Sequence, residues 1–211
     1  MFMGIEFGST TYAGWPISLV TFAVCTTVLY LKGRSFTYLL FFSVFWIYIT
    51  FAINEVFFPI AITGPFAEAS RDASPNPIIN LIPFYFGPYP DLTRVIRISI
   101  LNIVLTIPFG FGLNFLTHVS FKRFLLIAVL LGVGLEVAQF ILSLLLGYSY
   151  RIVDVNDVMF NALGVIVGYS IFRVFAAFYI KVTRKREFKH NAISDYIRTI
   201  SLRVQNNKST A

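Results

Sequence analysis

Long apolar stretches separated by short polar breaks dominate the chain. Five of them, Trp15–Leu31, Phe36–Phe58, Val95–Thr117, Phe121–Leu146 and Val158–Ile180, reach the length a helix needs to cross the hydrocarbon of a bilayer. That length is roughly 17 to 25 residues, at a rise of about 1.5 Å per residue. Many of their residues are β-branched or aromatic and would favour strands in water, but lipid offers no partner to an open backbone group, so the pattern predicts helices. The breaks fall at Lys32–Arg34, at a proline-rich stretch from Pro59 to Arg94, at His118–Arg123 and at Gly147–Asp157. No internal repeat is visible. The expected fold is therefore all-α: a polytopic membrane bundle of five transmembrane helices within residues 1–180, followed by a basic tail over 181–211.

Composition removes the water-soluble classes. The 211 residues are 57% hydrophobic and 13% charged, with a mean hydropathy of +0.75. No core in water could use so much apolar surface. The single Cys25 lies inside the first apolar run, so an internal disulfide is impossible and the simple reading is a small buried hydrophobe. Residues Met1–Gly14 carry Glu6 and no Lys or Arg, unlike the basic start of a cleavable signal peptide, so the first run is expected to stay in the mature protein.

Charge then sets an expected orientation. Lys32 and Arg34 lie at one end of the bundle, Lys122 and Arg123 return to it, and the tail beyond Tyr179 holds eight Lys or Arg against Glu187 and Asp195. Nearly all of the net +7 is therefore on one side, which the positive-inside rule makes cytoplasmic. The N-terminus and the loops 59–94 and 147–157 are then outside. In the tail, Ile193, Tyr196, Ile197, Ile200 and Val204 recur at helical spacing away from His190, Arg198 and Arg203, predicting an amphipathic helix lying on anionic lipid. A nucleic-acid partner is not expected for a tail tethered to a membrane. The sequon Asn207-Lys208-Ser209 would fall on the inner side and is discounted.

Polar residues at membrane depth carry the chemistry. An ionisable group inside a span costs at least about 2.5 to 3.5 kcal/mol, so each needs a partner or a wet cavity. Glu136 stands ten residues before Leu146, about 15 Å down, with Gln139 on the same face one turn above. Asn102 lies about 10 Å inside the third span, Asn161 follows Asp157 by one turn, and Arg151, Asp154 and Asp157 crowd the loop above. All converge on the outer half, where Arg151 is the expected charge partner of Glu136. Simple helix-to-helix hydrogen bonding accounts for Asn102, Gln139 and Asn161, taken singly, as well as a functional role does. Asn54, Glu55, Arg97 and Arg173 lie near span ends and are given no functional role.

Small and kinking residues complete the pattern. Gly164-Val-Ile-Val-Gly168 reads as a helix-packing GxxxG, and Pro108-Phe-Gly-Phe-Gly112 as a kink or short unwound segment below Asn102. The outer loop, with Asn80-Leu-Ile-Pro-Phe84 set among Pro75, Pro77, Pro88 and Pro90, is expected to dip to the interface and anchor there through Phe84, Tyr85 and Phe86. There is no phosphate-binding glycine loop and no zinc spacing, and His118 and His190 are on the wrong side to act as bases. Catalysis, if any, would fall to Glu136, Asp154 and Asp157. A divalent cation held by these three carboxylates is a lesser alternative; no metal site is assigned, and the cofactor stays open.

The pieces Asn80–Phe84, Asn102 followed by Ile107–Phe111, Glu136-Val-Ala-Gln139, Arg151-Ile-Val-Asp154-Val-Asn-Asp157 and Asn161-Ala-Leu-Gly164 with Gly168 together resemble the VanZ-like family. The resemblance runs from about Asn80 to Tyr169, and its specificity lies in the order of five pieces. The family usually continues its third-span asparagine with isoleucine and leucine, where this chain has Asn102-Ile-Val104. The resemblance implies a small multi-helix membrane protein, named after a member linked to teicoplanin resistance, and carries no assigned catalytic role. Two functions stand against each other. One is an envelope factor binding lipid, a lipid-linked cell-wall precursor or a lipoglycopeptide through Asn80, Asn102, Glu136, Gln139, Arg151, Asp154, Asp157 and Asn161. The other is an intramembrane enzyme acting on a lipid-linked phosphate or sugar, with Arg151 as phosphate clamp. A transporter ranks last, because no repeat or continuous polar pathway is present.

Overall fold

A computed structural model describes residues 15–87, 90–184 and 191–206. Glu6, Pro88, Glu187, His190 and the sequon at 207–209 lie outside the described residues. Among the described residues seven helices follow in chain order: α1 (Trp15–Leu31), α2 (Phe36–Phe57), α3 (Pro65–Ala73), α4 (Leu92–Leu116), α5 (Phe121–Leu146), α6 (Val155–Thr183) and α7 (Ala192–Asn206). Four of them, α2, α4, α5 and α6, are long and apolar enough to cross a membrane, and α1 is a shorter apolar helix. The architecture is all-α apart from a two-residue parallel ladder, β1 (Ile79–Asn80) against β2 (Val153–Asp154), with Asn80 opposite Asp154.

The helices neighbour one another in the order α1, α2, α4, α6, α5, with α7 packed mainly under α6. The central pair is α4 and α6, which approach backbone to backbone. A Cβ on Gly164 would collide with Thr106 Oγ1 and Ile103 O, one on Gly168 with Ile107 O, and one on Gly110 with Val165 O. The GxxxG stripe thus packs as its spacing implies. Gly132 lets α5 meet α6 in the same way, since a Cβ added there would lie only 2.7 Å from Val158 O. Toward the charged end, aromatic rings take over: Phe115 stacks on Phe41 at 4.5 Å and meets Phe172 edge-on at 5.1 Å.

Three expectations are sharpened. Pro108 neither unwinds nor interrupts α4, which runs unbroken from Leu92 to Leu116. The proline removes one donor, and beside that gap the Tyr48 hydroxyl of α2 donates to Leu105 O at 2.7 Å. The outer loop contains α3, whose Ala67 is fully buried with Leu146 and Tyr148. The apolar side of α7 faces protein: Ile200 and Val204 are buried with Phe115, Phe172 and Ala176, and the Tyr196 ring stacks on Phe41 at 5.3 Å. Tyr196 also donates its hydroxyl to Phe115 O at 2.5 Å, and burial raises its phenol pKa, keeping that proton in place. An apolar stripe reads identically whether lipid or protein covers it; here the aromatic end of the bundle offers the closer cover.

Candidate functional site

The row of helices leaves a trough at the end carrying the long loop. Because α2 and α5 lie on opposite sides of the α4–α6 pair, the upper turns of α4 and α6 form its floor and the other two its walls. The resulting open cavity has a volume of about 1900 Å³. All eight polar residues singled out above line it: Asn80, Asn102, Glu136, Gln139, Arg151, Asp154, Asp157 and Asn161.

Each carboxylate is held by a neutral donor. Glu136, in the middle of α5 and 4% exposed, accepts the backbone N–H of Asp154 on Oε2 at 2.8 Å. Asp154 caps α6 by accepting the Asn156 N–H at 2.8 Å, and its same oxygen accepts the Asn80 side-chain amide at 3.0 Å. Asp157, one turn into α6, accepts from the Asn102 amide at 2.7 Å, joining floor helix to floor helix. The Thr106 hydroxyl adds a second link, 2.9 Å from Asn161 O. Asn161 is itself buried, with Oδ1 lacking any hydrogen-bond partner.

Arg151 departs from expectation. Among the described residues it forms no direct ion pair with a carboxylate; its guanidinium lies over the Tyr150 ring, 5.7 Å from the centroid. Arg151 is exposed on the loop while Glu136 is deep in α5, where its carboxylate is met by the backbone N–H of Asp154. Nor do the described residues contain a group of three or more His, Cys, Asp or Glu placed to hold a metal ion. The three carboxylates share a cavity without converging on one point.

Several contributors escaped sequence reading. Asn156, 1% exposed, accepts the Phe84 N–H at 2.6 Å and donates to Tyr85 O at 3.1 Å, fixing the 80–86 loop above the trough. Phe84 itself takes a positive φ of 59° there and stays 66% exposed beside the exposed Leu81 and Ile82. Tyr148 and Tyr150 strap the α5–α6 loop to the segment after α2, donating to Ala61 O at 2.8 Å and Phe57 O at 2.7 Å. Burial raises the Tyr148 phenol above its ordinary value, which keeps this donor protonated. Arg71 of α3 donates to Leu146 O at 3.0 Å and Ile62 O at 2.8 Å, satisfying a carbonyl at the open end of α5. Glu55, assigned no role from sequence, lines the trough with Tyr48 and Arg94. The one available signal was its position one turn from the end of α2; the other contacts are tertiary and left no local trace.

Against known proteins, a family model described as VanZ/LLP1 matches residues 39–176, well over half of the chain and more than the motif-bearing stretch alone. No curated protein matches, and no solved structure does.

Proposed function

This chain belongs to the VanZ/LLP1 family, and from that premise we propose a multi-pass protein of the bacterial cell envelope whose trough binds the head group of a lipid or lipid-linked precursor, lowering susceptibility to glycopeptide and lipoglycopeptide antibiotics. The observation that carries this reading is the union of all eight polar residues with an apolar rim in one cavity. Phe51, Leu101 and Val104 line the same space and are 51%, 54% and 55% exposed, so an amphiphile would find polar and apolar lining together. Ionisable groups at this depth are costly and are kept where they do something. The charge distribution supports a trough facing outward, with α1 as a fifth span and α7 on the cytoplasmic side.

Expression of Glu136→Ala and Arg151→Ala variants should abolish any protection against teicoplanin while membrane abundance stays level with wild type. Unchanged inhibitory concentrations in both well-expressed variants would remove the trough from the function. An enzyme acting on a lipid-linked phosphate or sugar is the second reading, favoured by three carboxylates and a guanidinium lining one cavity. Turnover of lipid-carrier substrates by purified protein, with or without Mg²⁺, would shift the balance to it; none under either condition leaves the binding reading in place.

A further inference from the structure

Resting on the head-group reading above, we propose that the trough selects a positively charged head group, a primary ammonium carried by a membrane amphiphile, in preference to a phosphate. Charge counting comes first. Glu136, Asp154 and Asp157 line the cavity, with Glu55 and Asp91 nearer the loop end of α2 and α4. Among the described residues, Arg94 and Arg151 are the only guanidiniums on its lining, so carboxyl groups there exceed cations by three. Arg151 is held over Tyr150, without a direct ion pair to any carboxylate among the described residues.

Hydrogen-bond capacity points the same way. The three deep carboxylates each commit one oxygen to neutral N–H donors: Oε2 of Glu136, Oδ1 of Asp154 and Oδ1 of Asp157. Their second oxygens remain as acceptors. Asn161 supplies an independent sign of a missing ligand, because its side chain is 4% exposed on the cavity lining and Oδ1 has no partner. A buried acceptor left open costs about 1 to 3 kcal/mol. The lining therefore offers unfilled acceptors and more carboxyl groups than guanidiniums. An ammonium brings three donors, no acceptor and the missing countercharge. A phosphate brings acceptors to acceptors.

The test uses the full chain in neutral-detergent micelles, with native mass spectrometry reading occupancy by hexadecylamine, hexadecyl phosphate and hexadecyl glucoside. Hexadecylamine should bind at least about tenfold better than the phosphate, a preference worth one decade of affinity. Glu136→Gln combined with Asp157→Asn keeps side-chain shape and should erase that preference, bringing hexadecylamine occupancy down to that of the phosphate; a preference that survives the double substitution would overturn the ammonium inference. Glucosamine, an ammonium without a chain, should not displace hexadecylamine. A phosphate preference lost in Arg151→Ala would overturn the ammonium inference and keep the head-group site. No occupancy by any of the three, or occupancy indifferent to every substitution, would overturn both.

Discussion

Helices α4 and α6 meet in two different ways along their length. In their middle turns glycine brings backbone against backbone, and toward the charged end phenylalanines fill the space. Near the loop end the same helices are joined by an amide–carboxylate pair, Asn102 to Asp157, and the flanking helices stand apart over them. In lipid there is no hydrophobic drive to press helices together, so close approach of small residues and full pairing of polar groups are the two means available. This bundle uses the first where it must be rigid and the second where it must leave room.

The contrast can be broken most severely at the glycines. Gly168→Leu would drive a side chain into the backbone of Ile107, which cannot move as a side-chain tip could. Overpacking typically costs about 1 to 3 kcal/mol and more against backbone, so the expected result is loss of monodisperse protein or a large fall in the thermal midpoint in detergent. Gly134→Ala is the matched control: nothing lies within 4 Å of its Cβ, and it should leave the midpoint unchanged or slightly higher. Equal damage from both would mean the glycines act through chain flexibility alone.

A middle-sized effect is expected from Asn102→Ala, which strips Asp157 of its amide donor. The cost should be about 1 to 3 kcal/mol of stability, together with loss of head-group binding; intact binding would detach the α4–α6 polar pair from the site. The smallest expected effect is that of Tyr196→Phe, which removes one neutral hydrogen bond to Phe115 O while keeping the ring stack on Phe41. That is worth about 0.5 to 1.5 kcal/mol, read as a modest drop in midpoint without change in ligand occupancy. A change in occupancy there would tie the two ends of the bundle together.

Hydropathy made the spans legible because burial in lipid is written residue by residue. The bounds of α5 match at both ends, and α6 begins three residues earlier than its apolar run, since Val155, Asn156 and Asp157 form a polar first turn capped by Asp154. The helix α3 was hidden for the opposite reason: Glu68, Arg71 and Asp72 mask one narrow apolar face that only Leu146 and Tyr148 reveal. The depths of Glu136, Asn102 and Asn161 followed from helical rise, and that was enough to place them around one cavity. The pairing was less legible. Arg151 looked like the obvious partner of Glu136 by charge alone, whereas the structure answers that carboxylate with a backbone N–H. The apolar stripe of α7 carried no information about what it would cover.

That last packing has a practical side. With Ile200 and Val204 buried on Phe115 and Phe172, the tail helix is a stopper over an aromatic socket at the base of the bundle. Deleting it to shorten the protein for expression would leave the socket uncapped and sticky, inviting the shortened chains to clump.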